Sequence, residues 1–269
     1  MKPYNMEFNL ELLKSRGVIT VENYVTGDDL DKLNREFEMF CSEENSSYNK
    51  HLSYSAGTGR KLILSEIPDS YFTSKFFKSV AFSEAAEKYL GEPFELNKEI
   101  FVVEDVPASE HVAQQLHYDI ARTLKFFLYL EDTTTENGAF YCVPGSHKWT
   151  ADRRKKYSDQ IIPGNREFTR QLTEEFGDAL PIEGKAGTLI IFDTDVFHQA
   201  GKVTQGRRRV MRGHTRTVRE MHDQRKRFES AKNDSFFKRM IKKLRQMKLV
   251  YLAFCNTINV VSHCKLLVS

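Results

Sequence analysis

The chain has 269 residues, 40% of them hydrophobic and 12% aromatic, enough to bury one large core or two small ones. Its net charge is only +3, and its four cysteines (Cys41, Cys142, Cys255 and Cys264) include no CxxC pair, which speaks against zinc knuckles and a disulfide framework. No apolar run approaches the roughly 18 residues of a spanning helix, and the charged start "MKPYNMEFNLELLKSRG" lacks a signal-peptide core, so a cytoplasmic chain is expected.

In chain order, residues 7 to 15 place apolar side chains at helical spacing and stop at Gly17, and "VITVENY" then reads as a short strand. "TGDDLDKLNREFEMFCSEE" opens with cap signals at Thr26 and Asp28. It continues with Leu30, Leu33, Phe37 and Phe40 on one helical face. Residues 66 to 91 predict two helical pieces broken near Ser79. After Gly91 the texture changes to short β-rich runs: "FELNKEIFVVED", "RTLKFFLYLED", "GAFYCVPG", "GTLIIFD" and "RRVMRGHTR". Turn signals such as Asn137-Gly138 and Pro144-Gly145 separate them. Residues 150 to 180 form a polar insertion, and helix returns from residue 218. The expected organisation is a β domain with N-terminal helices over residues 1–217, followed by a basic helical tail over residues 218–269.

The charge is unevenly placed. Between Arg225 and Lys248 ten Lys or Arg face only Glu229 and Asp234, a surplus of eight that leaves about −5 for the rest of the chain. A basic groove through the body of the fold is therefore not expected.

The pattern that carries chemistry is "LHYD" at residues 116–119. In a strand, His117 and Asp119 project to one face while Tyr118 points away to pack. A third ligand must come from a distant strand, and "GTLIIFDTDVFHQAG" offers His198 at the end of an apolar run. Two imidazoles and one carboxylate form the facial triad of non-haem Fe(II) oxygenases, which leaves positions open for cosubstrate and O2. A lone His-x-Asp is common without metal, and the weight rests on the combination. Arg209, eleven residues beyond His198, can hold a carboxylate through a two-point pair. It also reads plainly as a solvated charge in "GRRRV", although its parity with Met211 and Gly213 suits an inward face. On the run after the motif, Lys125, Phe127 and Tyr129 share one face that can floor a cosubstrate pocket. Leu124, Phe126, Leu128 and Leu130 make an equally good core face. His147 is read as loop-shaping, and His111 and His214 as ordinary core or surface histidines.

"LHYD", "ENGAFYCVPGSHK", "GTLIIFDTDVFHQAG" and Arg209, with the opening "LKSRGVITVENYVTGDDLDKL", resemble the phytanoyl-CoA dioxygenase family of Fe(II)/2-oxoglutarate oxygenases over residues 10 to 217. The resemblance implies a mainly β fold, a double-stranded β-helix (jelly-roll, cupin-like) barrel buttressed by helices. It also implies iron bound by His117, Asp119 and His198, and 2-oxoglutarate held at its far carboxylate by Arg209; Lys125 and Phe127 join the cosubstrate pocket only on the shared-face reading above, with Lys125 as a carboxylate partner. O2 is the second cosubstrate, succinate and CO2 are released, and an unactivated C–H bond is hydroxylated. Related halogenases lack a carboxylate at the position of Asp119, so its presence argues for hydroxylation or another oxidation such as desaturation. Some relatives place a hydroxyl two positions past the second histidine, where this chain has Ala200.

The substrate is read least directly. A small or lipid-linked metabolite is expected, with an anionic group favoured by the Lys/Arg-rich rim at residues 153–166. The segment "SFFKRMIKKLRQMKLVYL" interleaves apolar and basic residues at helical spacing, so residues 236–250 are expected to touch a membrane surface peripherally, or else to dock on the barrel or a partner. No nucleic-acid recognition motif accompanies the charges. Two alternatives stand beside the oxygenase: a catalytically silent ligand-binding barrel that meets membranes through its tail, and a zinc hydrolase using the same triad. The second lacks a Glu general base near the ligands.

Overall fold

A computed structural model describes residues 7–42, 49–52, 60–109, 112–119, 122–156 and 174–233. Its compact units are Met1–Glu220 and Met221–Ser269. The first begins with helix α1 (Leu10–Arg16), strand β1 (Val18–Val21) and helix α2 (Gly27–Ser42). Asn9 caps α1 by accepting from the Leu12 N–H at 2.9 Å, and Gly17 ends it in the left-handed region at φ 74°. A side chain at Gly17 would also put its Cβ 2.2 Å from Val196 Cγ2.

Strands β2 (Asn49–Leu52) and β3 (Arg60–Ser65) follow, then helices α3 (Phe72–Phe77) and α4 (Val80–Leu90), which break at Ser79 as the sequence predicts. Glu36 of α2 accepts from the Phe72 and Thr73 N–H groups at 2.7 Å each, so one carboxylate fastens the start of α3 to α2. The β-rich runs become β4 (Phe94–Glu95), β5 (Glu99–Asp105), β6 (Leu124–Tyr129) and β7 (Phe140–Val143). After helix α5 (Ser146–Lys156) come β8 (Leu180–Ile182), β9 (Leu189–Asp193), β10 (Phe197–Ala200) and β11 (Arg208–Thr217).

Eight strands form one sheet in the order β1-β9-β6-β11-β5-β3-β2, with β4 added to β11, and β10, β7 and β8 form a second. An isolated bridge between His117 and His198 lengthens the second sheet. From β5 onward the chain feeds the two sheets in turn: β5, the His117 bridge, β6, then β7 and β8 together, β9, β10 and finally β11. That alternation is a double-stranded β-helix, the jelly roll expected from the sequence.

Both faces of the large sheet are covered. Leu124, Phe126 and Leu128 of β6 and Met211 of β11 pack with Phe37, Phe76 and Phe82 of the helices. The alternate residues Phe127, Tyr129, Phe192 and Val210 point the other way and meet Phe140 and Cys142 across the barrel. Tyr129 spans that interior, donating to the Ile182 carbonyl and accepting from the Phe140 N–H, both at 2.8 Å. On the outer side of the small sheet, Tyr118, Val143 and Phe197 pack beside Trp149. Where β11 passes the β4–β5 connection, Gly213 leaves room for Asn97: a Cβ there would lie 2.4 Å from Asn97 Cγ, and Asn97 accepts from the Thr215 hydroxyl at 2.7 Å.

The second unit is described only over residues 221–233, the continuation of helix α6 (Val218–Asn233). Residues 236–250, expected to meet a membrane, and His111 and residues 157–173 of the charged insertion lie outside the described residues. Among the described residues no helix is long and apolar enough to cross a membrane.

Candidate metal centre

The segment carrying His117 and Asp119 is not the regular strand its sequence suggests. It follows a 3-10 turn (Val112–Gln114) and, among the described residues, pairs with β10 as an isolated bridge at His117. The His117 N–H donates to the His198 carbonyl at 3.0 Å, and His198 returns the bond at 2.8 Å. Two residues on, the Asp119 N–H donates to the Thr194 carbonyl at 3.1 Å. The run "GTLIIFDTDVFHQAG" is also two strands and not one. The Val196 N–H closes a turn onto the Asp193 carbonyl at 2.9 Å, and the chain crosses from β9 of the large sheet to β10 of the small one before His198.

These backbone bonds bring the three side chains together. One ligand atom from each of His117, Asp119 and His198 lies within 4.8 Å of the others. Asp119 Oδ1 stands 3.6 Å from the Nε2 atom of each histidine. Each Nδ1–H is already committed, His117 to the Gln115 carbonyl at 2.6 Å and His198 to the Val196 carbonyl at 2.7 Å. That fixes the tautomer with the Nε2 lone pair turned toward the carboxylate. Phe192 and Phe140 flank the His198 ring at 5.1 and 5.8 Å between centroids and keep that side dry.

The electrostatics suit a cation. Burial, and then the neighbouring His198, push the His117 imidazole down to about 4, so it is neutral near pH 7. Burial alone would raise the Asp119 carboxyl, but Lys125 and then His198 outweigh it and hold the group well below the usual carboxylate range. Two imidazole nitrogens and a carboxylate fit a first-row divalent ion such as Fe(II), with positions left open.

Lys125 and Phe127 both project into the barrel, which decides between the two faces of β6. The Lys125 ammonium lies 2.6 Å from Asp119 Oδ2 and over the Phe192 ring at 5.6 Å, so the carboxylate it meets is the one in the triad. Phe127 packs against Phe140 at 5.7 Å between centroids and floors the interior.

Arg209 is not brought to this site. It shares parity with Met211, as the sequence suggests, but that parity faces the helices and not the barrel. Its guanidinium meets Glu38 of α2 and lies 2.8 Å from Glu104 and 3.7 Å from Glu131, with its Cζ 5.0 Å from the Phe37 ring centre. Besides Val210, the β11 side chains on the barrel parity include Arg208, Arg212 and His214. Arg208 pairs with Asp105 at 2.5 Å and donates to the Gly138 carbonyl. Arg212 lies over Phe101 at 4.8 Å, and His214 stacks on the same ring at 4.3 Å and 12°. Arg212 Nε and His214 Nε2 are buried and, among the described residues, have no hydrogen-bond partner. Burial lowers both groups, and Asp119 pulls each of them back toward its charged form. His214 is thus a core histidine on the barrel parity of β11. The sequence signal for this cluster is Arg208, Arg212 and His214 at one parity of β11, while the other parity carries Arg209 with Met211 and Gly213. His147, away from the triad, bonds the Lys14 carbonyl at 3.0 Å through Nε2 and shapes the turn into α5.

Residues 13–210 match the phytanoyl-CoA dioxygenase (PhyH) family. The dioxygenase olcK of Penicillium canescens is 24% identical over 216 residues, which cover 71% of this chain and 64% of olcK. Phytanoyl-CoA dioxygenase 1 of Oryza sativa subsp. japonica is 31% identical over 86 residues, 32% of this chain and 29% of that protein. The chain thus spans less than two thirds of either relative. Among solved structures, apo EctD from S. alaskensis superimposes with a TM-score of 0.59 at 14% identity, covering 81% of this chain and 79% of EctD. The epimerase SnoN, solved with Fe3+, alpha-ketoglutarate and nogalamycin RO, gives 0.55 at 16% identity over 78% of this chain and 82% of SnoN. HygX from Streptomyces hygroscopicus, with nickel, 2-oxoglutarate and hygromycin B, gives 0.52 at 14% identity over 78% and 86%. At these identities the structures share the fold, and it is the match over residues 13–210 that assigns the kinship: the chain belongs to the phytanoyl-CoA dioxygenase family.

Proposed function

We propose that this chain is an Fe(II)- and 2-oxoglutarate-dependent dioxygenase that hydroxylates a C–H bond of a small or lipid-linked metabolite. The observation that carries the reading is the convergence of His117, Asp119 and His198 within 4.8 Å inside the mouth of the barrel. Iron held there would couple O2 and 2-oxoglutarate to substrate oxidation, so that R–H, O2 and 2-oxoglutarate give R–OH, succinate and CO2.

The chain's own groups have separate tasks in this scheme. The two Nε2 atoms and Asp119 Oδ1 would be the metal ligands. The far carboxylate of 2-oxoglutarate calls for a buried guanidinium facing the barrel, and Arg209 faces away. Arg208 is already paired with Asp105 and would have to exchange that partner. Arg212 has one donor, Nε, with no partner among the described residues and is near enough to Asp119 to feel its charge. We therefore assign the far carboxylate to Arg212. Phe127, Phe140 and Phe192 exclude water from the chamber. The lipid-linked option rests on the basic, apolar sequence of residues 236–250, and an anionic substrate group on the Lys/Arg-rich rim.

The test is an anaerobic titration of Fe(II)-loaded protein with 2-oxoglutarate, following the weak visible charge-transfer band of the chelate. The native chain should develop the band and Asp119→Ala should not. A lost charge-assisted contact of about 1.5–3 kcal/mol predicts roughly 10- to 150-fold weaker binding in Arg212→Ala, with Arg209→Ala near the native value. No band in the native chain at saturating iron and cosubstrate would overturn the oxygenase reading in favour of a silent ligand-binding barrel.

A further inference from the structure

We propose that Lys125 is a positioning residue: its ammonium holds the second oxygen of Asp119 away from the metal and keeps that carboxylate a one-oxygen ligand. This rests on the metal-centre reading above and goes beyond it, because it assigns a task to a residue outside the triad.

The geometry separates the two carboxylate oxygens. Oδ1 stands 3.6 Å from both histidine Nε2 atoms, while Oδ2 lies 2.6 Å from Lys125 Nζ. Lys125 reaches it from β6, where it sits opposite Phe192 of β9 and His214 of β11, and only 3% of its surface is exposed. A buried ammonium is a poor choice for packing, since desolvation opposes it and an apolar side chain would fill the same space. The pair therefore supplies something that packing does not. A carboxylate can bind an ion through one oxygen or chelate it through both. A three-residue site must keep three positions for a chelating cosubstrate and O2. With Oδ2 free, Asp119 could rotate and take one of them. A donor on Oδ2 in the barrel wall prevents that rotation, as partners of ligating groups commonly do. The positive charge also draws electron density from Asp119 and tempers its attraction for the ion.

The test compares native, Lys125→Met and Lys125→Arg proteins loaded with Co(II) and no cosubstrate, because cobalt's visible bands report coordination number and symmetry. Lys125→Met should show an altered spectrum and bind Co(II) as tightly as the native chain or more so, since Asp119 then has only the ion to neutralise it. Its 2-oxoglutarate Kd, measured anaerobically on Fe(II), should rise at least tenfold, and Lys125→Arg should restore the native spectrum. A merely structural lysine would instead weaken metal and cosubstrate together. Lys125→Gln, polar but one bond shorter, serves the same comparison if the methionine variant does not fold. An unchanged cobalt spectrum overturns the proposal, even with weakened 2-oxoglutarate binding, which would place Lys125 in direct contact with cosubstrate. If the native Fe(II) protein binds no 2-oxoglutarate, the oxygenase reading falls while the cobalt comparison still decides what Lys125 does to Asp119.

Discussion

Replacing Arg209 by methionine separates the two roles this arginine can be given. Methionine keeps most of the stem that packs beneath the guanidinium and removes its charge. The structure places three carboxylates around that charge, Glu38 in contact, Glu104 at 2.8 Å and Glu131 at 3.7 Å, with the Phe37 ring at 5.0 Å. Glu104 and Arg209 keep only 14% and 10% of their side-chain surface exposed. The pair is thus neither a surface bridge worth about 0–1 kcal/mol nor a fully buried one whose breaking costs about 3–5 kcal/mol. Losing it and the cation–π contact, itself about 0.5–1 kcal/mol, predicts a net destabilisation of about 2 kcal/mol. For a domain of this size that is a fall in Tm of about 4–8 °C. Urea unfolding should show a lower midpoint with an unchanged slope. The Fe(II)-dependent affinity for 2-oxoglutarate should stay within about threefold of native, and Glu104→Gln should lose most of its own effect when combined with Arg209→Met. Unchanged stability with cosubstrate binding weakened more than tenfold would refute the reasoning, since Arg209 would then face the barrel.

Metal-free protein should lose stability as pH falls from 6.5 toward 4. The folded His117 imidazole, at about 4, binds its proton less readily than the unfolded one. The loss from this residue is about 2 kcal/mol between pH 7 and 5, and urea titrations of native and His117→Gln protein in chelator check it by the reduced slope in the variant. Phe82 and Phe126 stack at 4.1 Å between centroids with both rings fully buried. Phe82→Leu should lower stability by about 1–2 kcal/mol in thermal unfolding, with Co(II) affinity unchanged. Gly187 sits at φ 86°, and a Cβ there would lie 1.8 Å from the Val25 carbonyl oxygen. Gly187→Ala should therefore cost about 3 kcal/mol or more, read by urea midpoint, and native-like stability would mean that the β8–β9 turn is built differently.

The triad was legible because its evidence is chemical. His117, Asp119 and His198 are residue types that a buried position tolerates poorly without a compensating cation, and a spacing of two announces a shared face. Arg209 was misread for a physical reason. In a strand covered on one face only, apolar parity identifies the inside, but β11 is buried on both faces, and Met211 marks the helix side as faithfully as Val210 marks the barrel. The same ambiguity left Lys125 and Phe127 undecided until the helices were seen to take Leu124, Phe126 and Leu128. The break between β9 and β10 was hidden because Val196 and Phe197 continue the apolar run while the Thr194-Asp195 turn contains neither Gly nor Pro. The edge strand β2 has too few apolar residues to signal a strand at all.

The fit of Gly213 against Asn97 bears on how the chain avoids folding wrongly. Arg208 and Arg209 lie across from Asp105 and Glu104, so two adjacent arginines face two adjacent acids. A slip of one residue would turn every β11 side chain to the opposite face, and in one direction it would set Arg207 and Arg208 across from Asp105 and Glu104, still an arginine beside an acid on each face. Charge alone cannot reject that error. Shape can: Asn97 fills the hollow that a glycine leaves, and after a slip it would confront Arg212 or His214 instead. One missing side chain thus acts as a proofreading notch that keeps Arg212 in the chamber and Arg209 out of it.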